Sequence, residues 1–172
     1  MVRTILHLDL DAFFCAVEMQ RDPALKGIPF AVGARPDRRG VVASCSYPAR
    51  RYGVRSAMPM SRALQLCPHL VIVSHHFADY HAMSKQVMQR LHDLSPLVEQ
   101  LSIDEAFLDV TGIRTAPYEL AASLQARINR ELDVPCSLGV ATNKLVAKIA
   151  NNMGKAGARG DSPPNAIKVV PP

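Results

Sequence analysis

Hydrophobic and polar positions along the chain switch between a strand-like and a helix-like period. Residues 4–10 read as a short, mostly apolar strand broken only by His7 and Asp9. Residues 12–20 carry helical spacing through Phe13, Val17 and Gln20, with Asp11 as the expected N-cap. Apolar runs at 29–32 and 41–44 predict two more strands around a polar, arginine-rich turn. Residues 47–52 predict a single helical turn, with Pro48 at its first position and Gly53 as a left-handed stop. A small helix over 60–66 and a strand over 70–73 follow. A longer amphipathic helix at 76–94 places Phe77, Tyr80, Met83, Val87 and Leu91 near one face. Strands at 97–102 and 106–110, a helix at 118–132, a strand at 136–141 and a helix capped by Thr142 and ended by Gly154 come next. Residues 156–165 read as a loop and 167–170 as a final strand.

One order emerges when 11–75 is set aside: strand 4–10, helix 76–94, strands 97–102 and 106–110, helix 118–132, strand 136–141. This βαββαβ succession is ferredoxin-like, an α+β fold, with 11–75 inserted after its first strand. A right-handed crossover makes its first two strands parallel, with the third between them and antiparallel to both. The start of the third strand then lies beside the end of the first. Asp9 ends that first strand, and Asp104 and Glu105 lead into the third. Three carboxylates from distant positions are expected at one edge of a sheet.

Clustered carboxylates repel one another unless a cation neutralises them. Oxygen donors suit a hard ion, Mg²⁺ with Mn²⁺ as the alternative, and two such ions form the usual clamp for phosphoryl transfer. The structural alternative is also open here: Asp104 and Glu105 as turn residues, Asp9 as a capping acid.

Charge sharpens this reading. The net formal charge is +5. Between Arg35 and Arg62 seven arginines face one acid, Asp37, so the excess lies in the insertion. A polyanionic partner fits, as does a solvated basic face. Cys15, Cys45, Cys67 and Cys136 have no metal-binding spacing and read as buried free thiols. The N-terminal apolar run is interrupted by Asp9 and Asp11, which argues against a leader peptide. No stretch is long enough to span a bilayer, and a cytoplasmic location is expected.

Five segments carry a resemblance: Leu8-Asp9-Leu10-Asp11-Ala12-Phe13-Phe14, residues 44–50, residues 53–59, Ser102-Ile103-Asp104-Glu105-Ala106-Phe107-Leu108-Asp109, and residues 142–150. Together, and in this order, they resemble the Y-family translesion DNA polymerases of the DNA polymerase IV type. The resemblance implies a palm formed by 1–10 and 76–172 with a fingers insertion at 11–75. It implies template-directed transfer of a nucleotide from dNTP to a primer 3′-hydroxyl in lesion bypass and repair. Asp9, Asp104 and Glu105 match the catalytic metal ligands, and the Leu10 carbonyl matches a backbone ligand for two Mg²⁺ ions. Phe14 matches the ring that excludes a 2′-hydroxyl. Tyr47 and Arg50, three apart on one helical face, match triphosphate binders, joined by Ser44 and Lys155. Primer–template DNA and dNTP are the implied partners, with a sliding clamp for the full-length protein only.

Family members are much longer, and their thumb and little-finger domains have no counterpart here, so weak DNA binding and poor primer extension are expected. Lys144 and Lys148 have two readings, DNA phosphate contacts or solvated charges. His75, His76, Asp79 and His81 read as surface residues at a helix start, and Arg159-Gly160-Asp161 as a coincidental tripeptide. Two other classes compete: a non-catalytic nucleic-acid-binding module, disfavoured by the complete acidic set, and a nucleotide cyclase, disfavoured by the Tyr47/Arg50 insertion.

Overall fold

A computed structural model describes residues 2–157 and 162–172, without the Arg38 side chain. The fold is mixed α+β. The tripeptide at 159–161 lies outside the described residues. The chain divides into two compact units. One comprises residues 2–11, 81–157 and 164–172 of those described. The other comprises 12–80 and 162–163.

The first unit is built on a five-stranded sheet. Its strands are β1 (Ile5–Leu10), β5 (Val98–Gln100), β6 (Glu105–Asp109), β7 (Cys136–Ala141) and β8 (Ile167–Val169), in the order β5-β6-β1-β7-β8. β6 lies between β5 and β1 and is antiparallel to both, as the crossover argument expects. β8 adds a strand parallel to β7 at the far edge. Alternation along β1 sends Leu6, Leu8 and Leu10 to one face and Ile5, His7 and Asp9 to the other. All but Asp9 are buried.

Helix α5 (Pro117–Leu132) packs on β7 and β8, and helix α6 (Lys144–Gly157) packs on β7 and β1. Ile5, Phe107, Ala141 and Ala147 form the small apolar cluster between sheet and α6. The approach is close because of Gly139. A Cβ there would stand 2.0 Å from the Ala147 carbonyl oxygen and 2.5 Å from the Asn151 nitrogen. Asn151 is fully buried and ties the helix down: its Nδ2 donates to the carbonyls of His7 (3.2 Å) and Ser137 (3.0 Å) and to His7 Nδ1 (3.0 Å).

The second unit holds α1 (Phe13–Arg21), β2 (Phe30–Gly33), β3 (Val42–Cys45), α2 (Tyr47–Arg51), α3 (Met60–Leu66) and β4 (Val71–Val73). Its sheet runs β3-β2-β4, antiparallel then parallel. Ala31, Val42, Cys45, Ala49, Val54, Met60, Ala63, Cys67 and Leu70 form its core. Gly53 has φ +85, the left-handed stop expected after α2. Helix α4 (Phe77–Leu94) contains the boundary, between Tyr80 and His81. All four cysteines are free and buried. Among the described residues no helix is long and apolar enough to cross a membrane.

Three local expectations need correction. Asp11 does not cap α1. The cap position is Ala12, in the left-handed region (φ 47) with no side-chain bond, and the Asp11 carboxylate is engaged elsewhere. Asn143, not Thr142, caps α6, its Oδ1 accepting the Val146 N–H at 2.9 Å. Gly154 does not end α6, which continues to Gly157. A Cβ on Gly154 would meet Ala166 Cβ at 3.2 Å, so this glycine serves packing against the β8 segment. In the division into compact units Asp11 groups with the first and residues 76–80 with the second.

Candidate active site

The register of β1 and β6 places Asp9 opposite Glu105. The Leu10 N–H donates to the Asp104 carbonyl at 3.0 Å, so Asp104 sits at the same corner. The β5–β6 hairpin sets this up. Ser102 Oγ donates to Asp104 Oδ1 at 2.7 Å and accepts the Glu105 N–H at 3.1 Å, which fixes the turn that delivers both acids.

Electrostatics of the cluster follow from crowding. Burial, aided by the charges of Glu105 and Asp104, raises the Asp9 carboxyl well above the ordinary range, against the pull of Lys155. Glu105 moves the other way. Burial pushes it up, but the Lys148 hydrogen bond and charge, with help from His7 and Asp9, outweigh that and hold it low. Asp9, Asp104 and Glu105, with Asp11 next in the chain, outnumber the two lysines paired with them.

Two lysines from α6 supply what neutralisation there is. Lys155 Nζ lies 2.6 Å from Asp9 Oδ1 and 3.1 Å from Asp11 Oδ1. Lys148 Nζ lies 2.7 Å from Glu105 Oε2. Asp11 is buried and well satisfied. Ser137 Oγ donates to both its oxygens (2.8 and 3.1 Å), and the Asn165 N–H donates at 3.1 Å. Lys144 is engaged by Glu99. Lys148 and Asp11 are the functional candidates that motif reading undervalued. The available signals were the seven-residue spacing of Lys148 and Lys155 and the shared strand face of Asp9 and Asp11.

Among the described residues no three His, Cys, Asp or Glu side chains stand ready to hold one ion. The donors nonetheless suit a hard divalent cation. They are carboxylate oxygens only, the charge is under-compensated, and ammonium groups already occupy the positions where a cation would be attracted.

The remaining expected residues lie in the second unit. Phe14, on α1, is half-buried and stacks on Tyr80 at 4.3 Å with 17° between planes, with His75 and Phe77 edge-on. Tyr80 is held from beneath: its hydroxyl donates to the buried Glu18 at 2.5 Å, and Glu18 also accepts from Arg21 and meets His76 Nδ1 at 2.9 Å. His75 and His76 thus belong to aromatic and acidic contacts, and Asp79 pairs with Arg21 at 2.7 Å. On α2 the Arg50 guanidinium lies 4.5 Å over the Tyr47 ring, and its Nε donates to the Cys45 carbonyl. Ser44, on β3, accepts from the Cys15 thiol. Ser46 caps α2 through the Ala49 N–H. So the structure gathers Asp9, Leu10, Asp104, Glu105 and Lys155 in one unit and carries Phe14, Ser44, Tyr47 and Arg50 in the other.

Residues 8–152 match the impB/mucB/samB family. The chain belongs to this family, the Y-family of DNA polymerases. Y-family relatives include DNA polymerase IV of Exiguobacterium sibiricum, 47% identical over 99% of this chain and 46% of that protein. DNA polymerase IV of Pseudomonas aeruginosa is 48% identical over 90% of this chain and 45% of that protein. Y-family structures superpose closely as well. DinB from Sulfolobus solfataricus gives a TM-score of 0.87 at 34% identity, covering 98% of this chain and 48% of that one. An insertion ternary complex of Dbh DNA polymerase gives 0.87 at 33% identity, covering 97% and 48%. This Y-family chain therefore spans about half the length of the relatives it matches.

Proposed function

We propose that this chain is the catalytic portion of a template-directed DNA polymerase of the translesion type. The first unit serves as palm and the second as fingers. The observation that carries this is the Asp9–Glu105 register pair with Asp104 at its corner. The strand order supports reading the palm as a ferredoxin-like core with β8 appended.

In this reading Asp9, Asp104, Glu105 and the Leu10 carbonyl would hold two Mg²⁺ ions. Bound there, such ions would supply the positive charge that lowers the pKa of an attacking hydroxyl and neutralises a leaving pyrophosphate. The residues of the chain do the rest. In the second unit Arg50 and Tyr47, with Ser44 near them in sequence, bind the triphosphate; in the first, Lys155 on α6 is a phosphate contact. Phe14, backed by Tyr80, meets the sugar and excludes a 2′-hydroxyl. Primer–template DNA and dNTP are the substrates. The relatives carry about twice this length, so DNA affinity of the chain alone is low, because fewer phosphates are neutralised.

Single-turnover primer extension at high protein concentration tests the reading, comparing wild type with Asp104→Ala. Slow template-directed addition of one nucleotide by wild type, reduced at least about 10³-fold in the variant, is expected. Extension that survives in Asp104→Ala, or nucleotide cyclisation without template, would contradict it.

A further inference from the structure

We propose that Lys148 is a resident counter-cation of Glu105, a positioning residue that a divalent ion must displace and that is thereby released toward phosphate. The inference rests on the reading of Asp9, Asp104 and Glu105 as metal ligands. It assigns Lys148 a role that neither sequence alternative, DNA contact or solvated charge, contains.

The geometry is built rather than incidental. Lys148 and Lys155 are seven residues apart, two turns of α6, and so share one face. That face is held against the sheet by the close approach at Gly139 and by the buried Asn151. Each ammonium lands on a different carboxylate, Lys148 on Glu105 at 2.7 Å and Lys155 on Asp9 at 2.6 Å. Asp104 is held by the Ser102 hydroxyl instead. Four acids, counting Asp11, thus face two lysines, and the acids are kept aimed at one corner before any ion arrives.

A divalent ion and an ammonium cannot share the same carboxylate oxygens, and their like charges repel at short range. Ion binding therefore requires the lysines to yield, and they do so unequally. Lys155 has a second anchor, the buried Asp11 carboxylate at 3.1 Å, and stays at the site when Asp9 turns to an ion. Lys148 has no second ion pair among the described residues. Half-exposed, it swings free as a cation beside the corner where a phosphate is handled. The order of events follows: ion first, then release of Lys148, then capture of phosphate.

Mn²⁺ titration of the 172-residue chain at low ionic strength, read by the paramagnetic signal of free Mn²⁺, tests this without any catalysis. Lys148→Met is expected to bind Mn²⁺ roughly three- to tenfold more tightly than wild type, and the gain should shrink at high salt. Lys144→Met, which removes the same charge from the pair with Glu99, should change affinity less than about twofold. Lys148→Gln repeats the test with a polar side chain in case the Met variant folds poorly, and circular dichroism checks both. A merely structural lysine would lower affinity on removal, so equal or weaker Mn²⁺ binding by both folded Lys148 variants overturns the proposal. Glu105→Gln separates the two levels. If wild type binds Mn²⁺ more tightly than Glu105→Gln while the Lys148 variants match wild type, only the displacement fails. If wild type binds no better than Glu105→Gln, the metal-site reading fails and the proposal with it.

Discussion

His7→Leu should flatten the acid limb of the stability curve. His7 lies in the middle of β1, fully buried, with its ring 4.8 Å from that of Phe107. Its Nδ1 accepts from Asn151, which puts the ring proton on Nε2, and among the described residues nothing accepts from that atom. Burial, together with the charges of Lys148 and Lys155 and against that of Glu105, lowers its pKa from 6.5 to about 4. The unfolded chain therefore takes up a proton from about pH 6.5 downward, while the folded chain refuses it until about pH 4. Stability rises with pH, and is lost as pH falls, wherever the unfolded state binds more protons. The contribution is fully present above pH 6.5, is lost as pH falls, and levels off below pH 4. The full shift corresponds to about 3 kcal/mol, of which about 2 kcal/mol is lost by pH 5. Asp9, raised by burial, titrates with the opposite sign nearby, so the total curve of wild type is not diagnostic. The difference between wild type and His7→Leu is. In the variant Asn151 keeps its two backbone acceptors. Urea unfolding at pH 8, 6.5, 5.5 and 5 should show wild type losing about 2 kcal/mol more than the variant across that range. Parallel pH profiles would refute the assignment of a buried neutral histidine.

Two further substitutions probe how α6 is held. Gly139→Ala forces a Cβ to within 2.0 Å of the Ala147 carbonyl oxygen and should cost about 3 kcal/mol, read as a lowered urea midpoint; a midpoint within error of wild type would show that α6 stands farther from the sheet. Asp11→Ala leaves the Ser137 hydroxyl and the Asn165 N–H without their acceptor and should cost on the order of 2–4 kcal/mol by the same measurement, whereas a capping role at α1 would cost about 1.

The corner of acids was readable because it follows from strand order. A hairpin whose second strand pairs with β1 must bring residue 104 or 105 beside residue 9, whatever the side chains around them do. The strand at 136–141 was read to the residue, since Pro135 precedes it and residues 138–141 carry no polar side chain. That Asp11 and Thr142 do not cap their helices was not readable. An acid just before a helix satisfies the local rule for a cap, and only the arrival of Ser137 and Asn165, more than a hundred residues later, offers Asp11 a better set of donors. The ion pairs of Lys148 and Lys155 with the acids were hidden for a related reason. A lysine on an amphipathic helix reads as solvated unless the distance between helix and sheet is known. Here that distance is set by the missing side chain at Gly139. Phe14 was assigned on resemblance alone, because its support, Tyr80 over a buried Glu18, depends on two helices meeting.

Diffraction from crystals of the chain grown with Mn²⁺ and a dNTP, recorded for anomalous scattering, addresses the proposed chemistry most directly. Manganese peaks are expected within coordination distance of Asp9, Asp104 and Glu105, with Lys148 withdrawn from Glu105. Well-occupied manganese sites on other residues, with both lysines still seated on their carboxylates, would contradict the assignment.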